Sequence, residues 1–322
     1  MSFSIEKISE KASNFGNSFH NQFKYKINIH ENDDSFPEPI RELIHQFNSI
    51  ILPKEFEKYI EQIWKLPVYE DDIWVITYPK CGTTWTQEAV WQICNGLDID
   101  GRGKVALRER FPFLEIQSVA AAPDKEPTFD AYNNLPRPRF IKSHLPIAFL
   151  PKQLWEVKPK IVYVTRDSKD TAISFYHHYY NLYQYQGSKE DFLDLFLKGE
   201  VEHGNYWDHI EQFKLLTKFY SNLKIITFED MKSNLNEIID ELCSFLEKPL
   251  SEEKKKILFD HLQFDKMKCN PAINPPHLKD VVRKNRPGSD YVFLRRGQTE
   301  SFRDEMPQEY VKMFNDYDNC KN

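Results

Sequence analysis

A run of apolar residues leads directly into a short loop and a helix between residues 73 and 94. Residues 73–78 read Ile, Trp, Val, Ile, Thr and Tyr, a composition typical of a strand that is covered on both faces of a parallel sheet. Pro79 ends this run. From Thr83 to Cys94 the apolar residues recur at helical spacing, so a helix is predicted to begin near Thr83.

The loop residues Lys80, Cys81 and Gly82 have the features of an anion site. The first N–H groups of a helix have no partner inside it, and together with the helix dipole they attract an anion. Gly82 lets the backbone approach a ligand closely, and Thr83 and Thr84 add two hydroxyl donors. For a lone glycine and two threonines, an ordinary strand, turn and helix is the commoner explanation. The lysine precedes the glycine here, whereas the P-loop motif places lysine after its second glycine.

The complete loop resembles that of the cytosolic sulfotransferases, whose 5′-phosphosulfate loop reads YPK, one variable residue, then GTTW. Residues 78–85 match every fixed position, and Cys81 stands at the variable one. The resemblance implies 3′-phosphoadenosine 5′-phosphosulfate as the donor. It also implies a P-loop-like α/β fold, in which one domain has a central parallel sheet flanked by helices. Trp85 is placed to stack on the adenine.

A second segment matches the family's site for the 3′-phosphate of the donor. Residues 160–164 read as another apolar strand, and the pattern RDxKDxAxS runs from Arg166 to Ser174. Eight residues span roughly two helical turns, so a guanidinium and a hydroxyl could share one phosphate. A surface salt bridge from Arg166 to Asp167 or Asp170 is the alternative.

A C-terminal segment is similar to the family's clamp on the same phosphate. It consists of an aromatic residue, an apolar residue, two basic residues and a glycine, namely Phe293, Leu294, Arg295, Arg296 and Gly297. Arg296 stands where the family has lysine. Residues 300–303 depart from the family's glycine, aspartate, tryptophan and lysine, so we expect a clamp that is less rigid than usual.

The reactive end of the site is predicted from residues 140–146, which read FIKSHLP. A lone histidine is more often structural than catalytic, but this one follows a strand, at the sheet edge where ligands gather. The family's K, S or T, H, L, P element matches in full. By resemblance, His144 takes the proton from the acceptor hydroxyl, while Lys142 and Lys80 stabilise the charge on the transferring and leaving groups.

Three phenylalanines are further candidates for the adenine site by family position, namely Phe228, Phe264 and Phe293. The family usually has tyrosine where Phe228 stands, so one polar contact to the base is lost and donor affinity is expected to be weaker or supplied otherwise. For each aromatic residue, ordinary core packing is the alternative.

Length and composition predict one domain over residues 1–322, with residues 1–35 as a partly irregular N-terminal extension. Apolar strands near residues 73, 139, 160 and 223 alternate with helical stretches at 208–218, 236–246 and 252–262, which indicates a parallel sheet. Neither a signal sequence nor a membrane span is indicated, so a cytoplasmic location and no membrane partner are expected. A net charge of −6 argues against nucleic acid as a partner.

The cysteines and other ligand types predict neither disulfides nor a metal site. The five cysteines are odd in number and irregularly spaced, which is not typical of a disulfide framework. The chain contains no zinc-binding or acidic metal-ligand motif, so no metal is expected. Beside Lys80 and a helix N-terminus, the Cys81 thiol could be acidified and reactive, although a small buried filler is the more common role.

The acceptor is expected to be a small lipophilic phenol, sterol, retinoid or other alcohol. The basis is an abundance of aromatic residues that could line an apolar cavity, namely Phe111, Phe113, Phe149, Phe175, Tyr176, Tyr206 and Trp207. The family also includes an insect retinol dehydratase, in which a transient sulfonate ester is eliminated, and that reaction stays open for an insect-type member.

Three other properties also stay open. A P-loop kinase and a catalytically silent nucleotide-binding relative are the alternative functions. Whether the chain forms a homodimer is the third, because many vertebrate members pair through a KxxxTV element that residues 303–312 do not reproduce.

Overall fold

A four-stranded parallel sheet forms the centre of the computed structural model, which describes residues 2–8, 25–30, 36–119 and 132–321. Its strands are β4 (Ile73–Thr77), β5 (Phe140–Ser143), β6 (Lys160–Thr165) and β7 (Leu223–Thr227). Their order across the sheet is β5-β4-β6-β7, and every neighbouring pair is parallel. The four predicted strands and the parallel sheet are confirmed.

Apolar side chains cover both faces of this sheet. In β4, Trp74 and Ile76 belong to one buried cluster, while Ile73 and Val75 belong to another. This division follows from the alternation of side chains along a strand. It explains why β4 reads as an unbroken apolar run.

Helices pack against each face. The α-helices are Glu38–Gln46, Ile60–Trp64, Thr83–Cys94, Leu107–Arg110, Ile116–Val119, Leu154–Val157, Ser168–Leu182, Lys189–Lys198, Tyr206–Leu216, Phe228–Ser233, Leu235–Phe245, Glu252–His261, Phe264–Cys269, His277–Asn285 and Gln308–Lys321. Short 3₁₀-helices lie at Lys54–Lys58, Arg102–Lys104, Ile147–Phe149 and Ser301–Asp304. The predicted helices at 83–94, 208–218, 236–246 and 252–262 are all present, with small shifts at their ends.

A second, smaller sheet was not predicted. Strands β1 (Ser2–Lys7), β2 (Tyr25–His30) and β3 (Ser49–Leu52) pair antiparallel in that order. Ile27 and Leu52 of this sheet lie in the same buried cluster as Trp74 of the central sheet. The expected N-terminal extension over residues 1–35 therefore contains two strands, while residues 9–24 and 31–35 lie outside the described residues.

The carboxyl ends of the parallel strands meet at one edge, where open α/β sheets place their ligands. β4 ends before the loop that contains Lys80, β5 before His144, β6 before Arg166 and β7 before Phe228. At β6 the following helix is capped by Asp167, whose carboxylate accepts hydrogen bonds from the backbone N–H groups of residues 169 and 170 at 2.9 and 3.0 Å. None of the helices in the described part of the chain is long and apolar enough to cross a membrane.

Candidate active site

A cavity of about 720 Å³ lies at this edge of the central sheet. It brings together segments that are far apart in sequence. The predicted site residues that line it are Lys80, Gly82, Thr83, Thr84, Trp85, Lys142, His144, Arg166, Ser174, Phe228, Phe264, Phe293, Leu294, Arg295, Arg296 and Gly297. Cys81 is the one predicted site residue that is missing from the lining.

The loop after β4 adopts an unusual backbone conformation at two positions. Lys80 has φ = 72° and Gly82 has φ = 99°, in the left-handed region that glycine adopts most readily. A Cβ at residue 82 would lie 2.9 Å from the Phe228 ring, so the glycine also permits a close contact with the end of β7. The helix Thr83–Cys94 then begins with its free N–H groups at the cavity.

Lys80 lies above the Phe293 ring, with its Nζ 4.7 Å from the ring centroid. Burial, and then the neighbouring positive charges of Lys142 and Arg166, lower the pKa of Lys80 to about 7. Positive groups therefore crowd this part of the cavity. An anionic ligand would relieve their repulsion.

The Cys81 side chain points into the core. It is fully buried, and its sulfur lies 3.6 Å from the Thr171 hydroxyl. Burial raises the pKa of the Cys81 thiol to about 12, because the charged thiolate is poorly solvated there. The hypothesis of an acidified, reactive thiol is wrong. Cys81 instead fills a small space in the core.

His144 is held by its backbone and by its ring. Its Nδ1 lies 2.8 Å from the carbonyl oxygen of Thr77. Because a carbonyl can only accept a hydrogen bond, Nδ1 carries the proton and Nε2 keeps its lone pair. Burial, and then the positive charge of Lys142, place the pKa of His144 well below its ordinary value. The imidazole is therefore neutral at pH 7.

Glu115 supports His144 and was missed by the sequence analysis. Its carboxylate accepts hydrogen bonds from the backbone N–H of His144 at 2.6 Å and from the Ser143 hydroxyl at 2.9 Å. Burial raises its pKa to about 7. Residues 112–114 pair with Lys142 of β5 through backbone hydrogen bonds, and this pairing places Glu115 next to the histidine. No local motif signals such a contact.

Arg166 lies at the centre of the predicted phosphate site. It donates to the carbonyl oxygens of Lys80 and Gln298, at 3.3 and 3.0 Å, and its guanidinium lies 4.3 Å from the Phe228 ring centroid. Its Nε is buried and has no hydrogen-bond partner among the described residues. Asp170 lies 3.7 Å from Arg166, and its side chain is buried, so the ion pair is not the surface salt bridge considered above.

The C-terminal segment around Arg295 has no regular secondary structure, as its sequence indicated. Arg295 and Arg296 both pair with Glu305, at 2.5 and 3.4 Å. Burial of Glu305 opposes its ionisation, but hydrogen bonds from His177 and Arg295 outweigh it and lower the pKa of Glu305 to about 2. Internal ion pairs thus hold both arginines at the cavity.

Gly297 packs directly against an aromatic ring. A Cβ at this position would lie 2.1 Å from Phe264, and its φ of 59° is also in the left-handed region. The segment therefore needs glycine here for two reasons. Two other rings of the lining, Trp85 and Phe228, meet edge to face, with ring centroids 5.6 Å apart.

The aromatic residues predicted to form the acceptor site separate into two groups. Phe113 and Phe175 line the cavity. The others do not, namely Phe111, Phe149, Tyr176, Tyr206 and Trp207, and all of these except Tyr176 are buried in the core. Their assignment to the acceptor site is therefore wrong. The cavity instead has apolar residues that were not predicted, including Leu182, Leu278 and Val281.

Comparison with known families identifies the chain. The sulfotransferase domain model matches residues 70–319. The chain belongs to the sulfotransferase family. It is therefore a sulfotransferase, as the loop of residues 78–85 indicated, and the P-loop kinase alternative is excluded.

Curated sulfotransferases match most of the chain. Sulfotransferase 1A1 of Mus musculus is 33% identical over 262 residues, which are 81% of this chain and 87% of the relative. The luciferin sulfotransferase of Photinus pyralis is 32% identical over 317 residues, 91% of this chain and 85% of the relative.

Solved structures share the fold. A retinol dehydratase in complex with androsterone and the inactive cofactor PAP superimposes with a TM-score of 0.80. It is 22% identical, and the match covers 100% of this chain and 96% of that chain. At this identity the similarity establishes the sulfotransferase fold. Within the described residues, no cluster of three or more His, Cys, Asp or Glu side chains is arranged to hold a metal ion.

Proposed function

We propose that this sulfotransferase moves a sulfonate group from 3′-phosphoadenosine 5′-phosphosulfate to a hydroxyl of a small lipophilic acceptor, with His144 as the general base. One observation carries the proposal. The hydrogen bond from Nδ1 to Thr77 leaves Nε2 unprotonated, on a residue that lines the same cavity as Lys80 and Arg166. The proposed base, the lysines and the proposed phosphate-binding groups thus line one cavity.

His144 would act first on the acceptor. Its Nε2 accepts the hydroxyl proton as the oxygen attacks sulfur, and the bond from sulfur to the bridging phosphate oxygen breaks. Negative charge then grows on that oxygen, where Lys80 and Lys142 stabilise it. Glu115 fixes the backbone of His144, which keeps the base aligned for a transfer that typically contributes ~10²–10⁴-fold.

Two groups of residues would hold the donor. The 5′ end fits the helix N-terminus and the hydroxyls of Thr83 and Thr84. The 3′-phosphate fits Ser174, Arg295 and the clamp described above. The buried Nε of Arg166 also fits, since it lacks a partner among the described residues. PAP bound to the structurally similar retinol dehydratase supports a nucleotide of this type.

The adenine would lie between apolar side chains. Trp85, Phe228, Phe264 and Phe293 all line the cavity, and each offers a ring face or edge. Phe228 supplies no hydroxyl to the base, so we propose that stacking and shape dominate recognition there.

A lipophilic acceptor fits the remaining part of the cavity. Phe113, Leu182, Leu278 and Val281 present apolar surface, and burial of such surface favours binding. Structures of retinol dehydratase contain androsterone in one case and retinol in another. These compounds define a first set of test acceptors for this chain.

A labelled-donor assay tests the function. Purified protein is incubated with [³⁵S]-labelled donor and phenols, sterols and retinoids, and labelled acceptor is separated and identified. The expected result is a sulfonate ester of at least one compound, with no need for added metal. An alkene with free sulfate would show elimination instead. Nucleotide binding without any transfer across the panel would show a catalytically silent relative.

A cytoplasmic location and the oligomeric state stay predictions.

A further inference from the structure

The charged groups that line the cavity are nearly all positive. They are Lys80, Lys142, Lys232, Lys284, Arg108, Arg166, Arg295 and Arg296. Glu202 is the single carboxyl group among the described residues of this lining. A carboxyl group does not help to bind the anionic donor, because it carries no positive charge in either protonation state.

Glu202 is firmly held in a buried position. It lies between the helices Lys189–Lys198 and Tyr206–Leu216 and is 3% exposed. Its backbone N–H donates to the Tyr179 hydroxyl at 2.7 Å, and its carboxyl group shares a hydrogen bond with the Tyr183 hydroxyl. Burying a carboxyl group is costly, and burial raises the pKa of Glu202 to about 8.

The next residue, His203, lies between Glu202 and the reactive end of the cavity. The His203 ring lies 5.5 Å from the His144 ring, and its Nε2 lies 3.8 Å from the Glu202 carboxyl oxygen. The Nδ1 of His203 is buried and has no hydrogen-bond partner among the described residues. The ring also interacts with the backbone of His144, so His203 links the carboxyl group of Glu202 to the residue at the reactive end.

We propose that Glu202, with His203 beside it, determines specificity by accepting a hydrogen bond from a second donor group on the acceptor, either a hydroxyl or an amine. This rests on the proposed function, and it narrows the acceptor class from lipophilic alcohols to compounds with two polar groups. An acceptor that is apolar at this point leaves buried polar atoms unpaired. Sites of that kind discriminate strongly against analogues that lack the group.

A matched set of phenols tests the proposal. The apolar reference is 4-ethylphenol, and the donor-bearing partners are 4-ethylcatechol, 4-(2-hydroxyethyl)phenol and 4-(2-aminoethyl)phenol. We expect wild-type kcat/KM to favour at least one partner over the reference by about tenfold or more, which is the scale of leaving one buried polar group without its hydrogen bond. Ratios clearly below tenfold for all three partners would overturn the proposal.

Variants assign the preference to the carboxyl group. Glu202→Met should reduce the ratio to near one, while Glu202→Gln should lose it for the amine and keep part of it for a hydroxyl. Glu200→Gln is the matched control, because Glu200 is a nearby carboxylate that does not line the cavity. A wild-type ratio that persists in Glu202→Met would assign the preference elsewhere and reject this role.

A binding measurement separates this proposal from the proposed function. The same compounds are titrated calorimetrically into wild-type protein and Glu202→Met with PAP present, so turnover is not required. Selective binding of a donor-bearing compound without sulfonation would reject the function and retain the specificity element. Sulfonation of 4-ethylphenol with no selectivity in binding or rate would retain the function and reject the specificity element.

Discussion

The hydroxyl oxygen of Thr77 lies 2.7 Å from the hydroxyl oxygen of Thr83. It also lies 3.1 Å from Nδ1 of His144. Thr77 ends β4 and Thr83 begins the helix that follows the lysine loop. A short chain of hydrogen bonds therefore joins the start of the helix Thr83–Cys94 to His144, the proposed base, so the two are oriented by the same strand.

Replacing the base should separate catalysis from binding. We expect His144→Ala to lower kcat by ~10²-fold or more, because general base catalysis is worth at least that amount, while the Kd for PAP changes little. Initial rates and calorimetry measure the two quantities. His45→Ala, at an exposed position of the helix Glu38–Gln46, should leave both unchanged. Near-normal turnover in His144→Ala would reject the base assignment.

Removing the central guanidinium should weaken nucleotide binding. Arg166→Ala is expected to cost about 1.5–3 kcal/mol of binding free energy, or roughly 10–150-fold in Kd for PAP, which is typical for a charge-assisted hydrogen bond. Arg102→Ala is the control, since Arg102 is exposed and pairs locally with Asp98. Thermal melting would detect a general loss of stability. An unchanged Kd in Arg166→Ala would place the 3′-phosphate elsewhere.

Nucleotide binding should take up a proton at Lys80. Its pKa of about 7 among the neighbouring positive charges means that much of it is neutral at pH 8, whereas a bound phosphate favours the charged amine. Affinity for PAP should therefore fall as the pH rises from 7 to 9. Calorimetry at pH 8 in buffers with different ionisation enthalpies measures the uptake. Lys80→Met should show less uptake than the wild type, and equal uptake in both proteins would contradict the assignment.

Two glycines of the C-terminal part allow a test of the Phe264 contact. Gly297→Ala should weaken PAP binding, because the new Cβ would lie 2.1 Å from the Phe264 ring and displace the ring or the clamp. Gly288→Ala is the matched control. Its φ of 87° brings a similar backbone strain, but no atom lies within 4 Å of the added carbon. Equal effects of the two substitutions on PAP binding would show that the Phe264 contact is unimportant.

The sequence predicted those parts of the site that are contiguous in the chain. The strand, the lysine loop and the helix from Thr83 follow one another within twenty-two residues from Ile73 to Cys94, so their periodicity and punctuation are visible locally. The same holds for Lys142 with His144 and for Arg166 with Ser174. The family resemblance then predicted that these segments meet at one site, and residues of all of them line the cavity.

Contacts between distant segments could not be predicted in this way. Glu115 reaches His144 through a strand pairing twenty-nine positions away, and Glu305 engages His177 across 128 positions. Aromatic composition also did not predict which residues line the cavity. Phe149 and Trp207 are aromatic like Phe113, yet they are buried in the core. Which aromatic residue faces a cavity depends on packing, which no single segment encodes.

The small antiparallel sheet is connected to the proposed acceptor end of the cavity. The backbone N–H of His203 donates to the carbonyl oxygen of Ile51 in β3 at 2.8 Å, and no comparable backbone bond from β3 to the lysine loop is present among the described residues. Substitutions in this peripheral sheet should therefore shift His203 and change which compounds are modified, while the lysine loop keeps its position. Peripheral mutations thus offer a way to alter the choice of substrate without touching the catalytic centre.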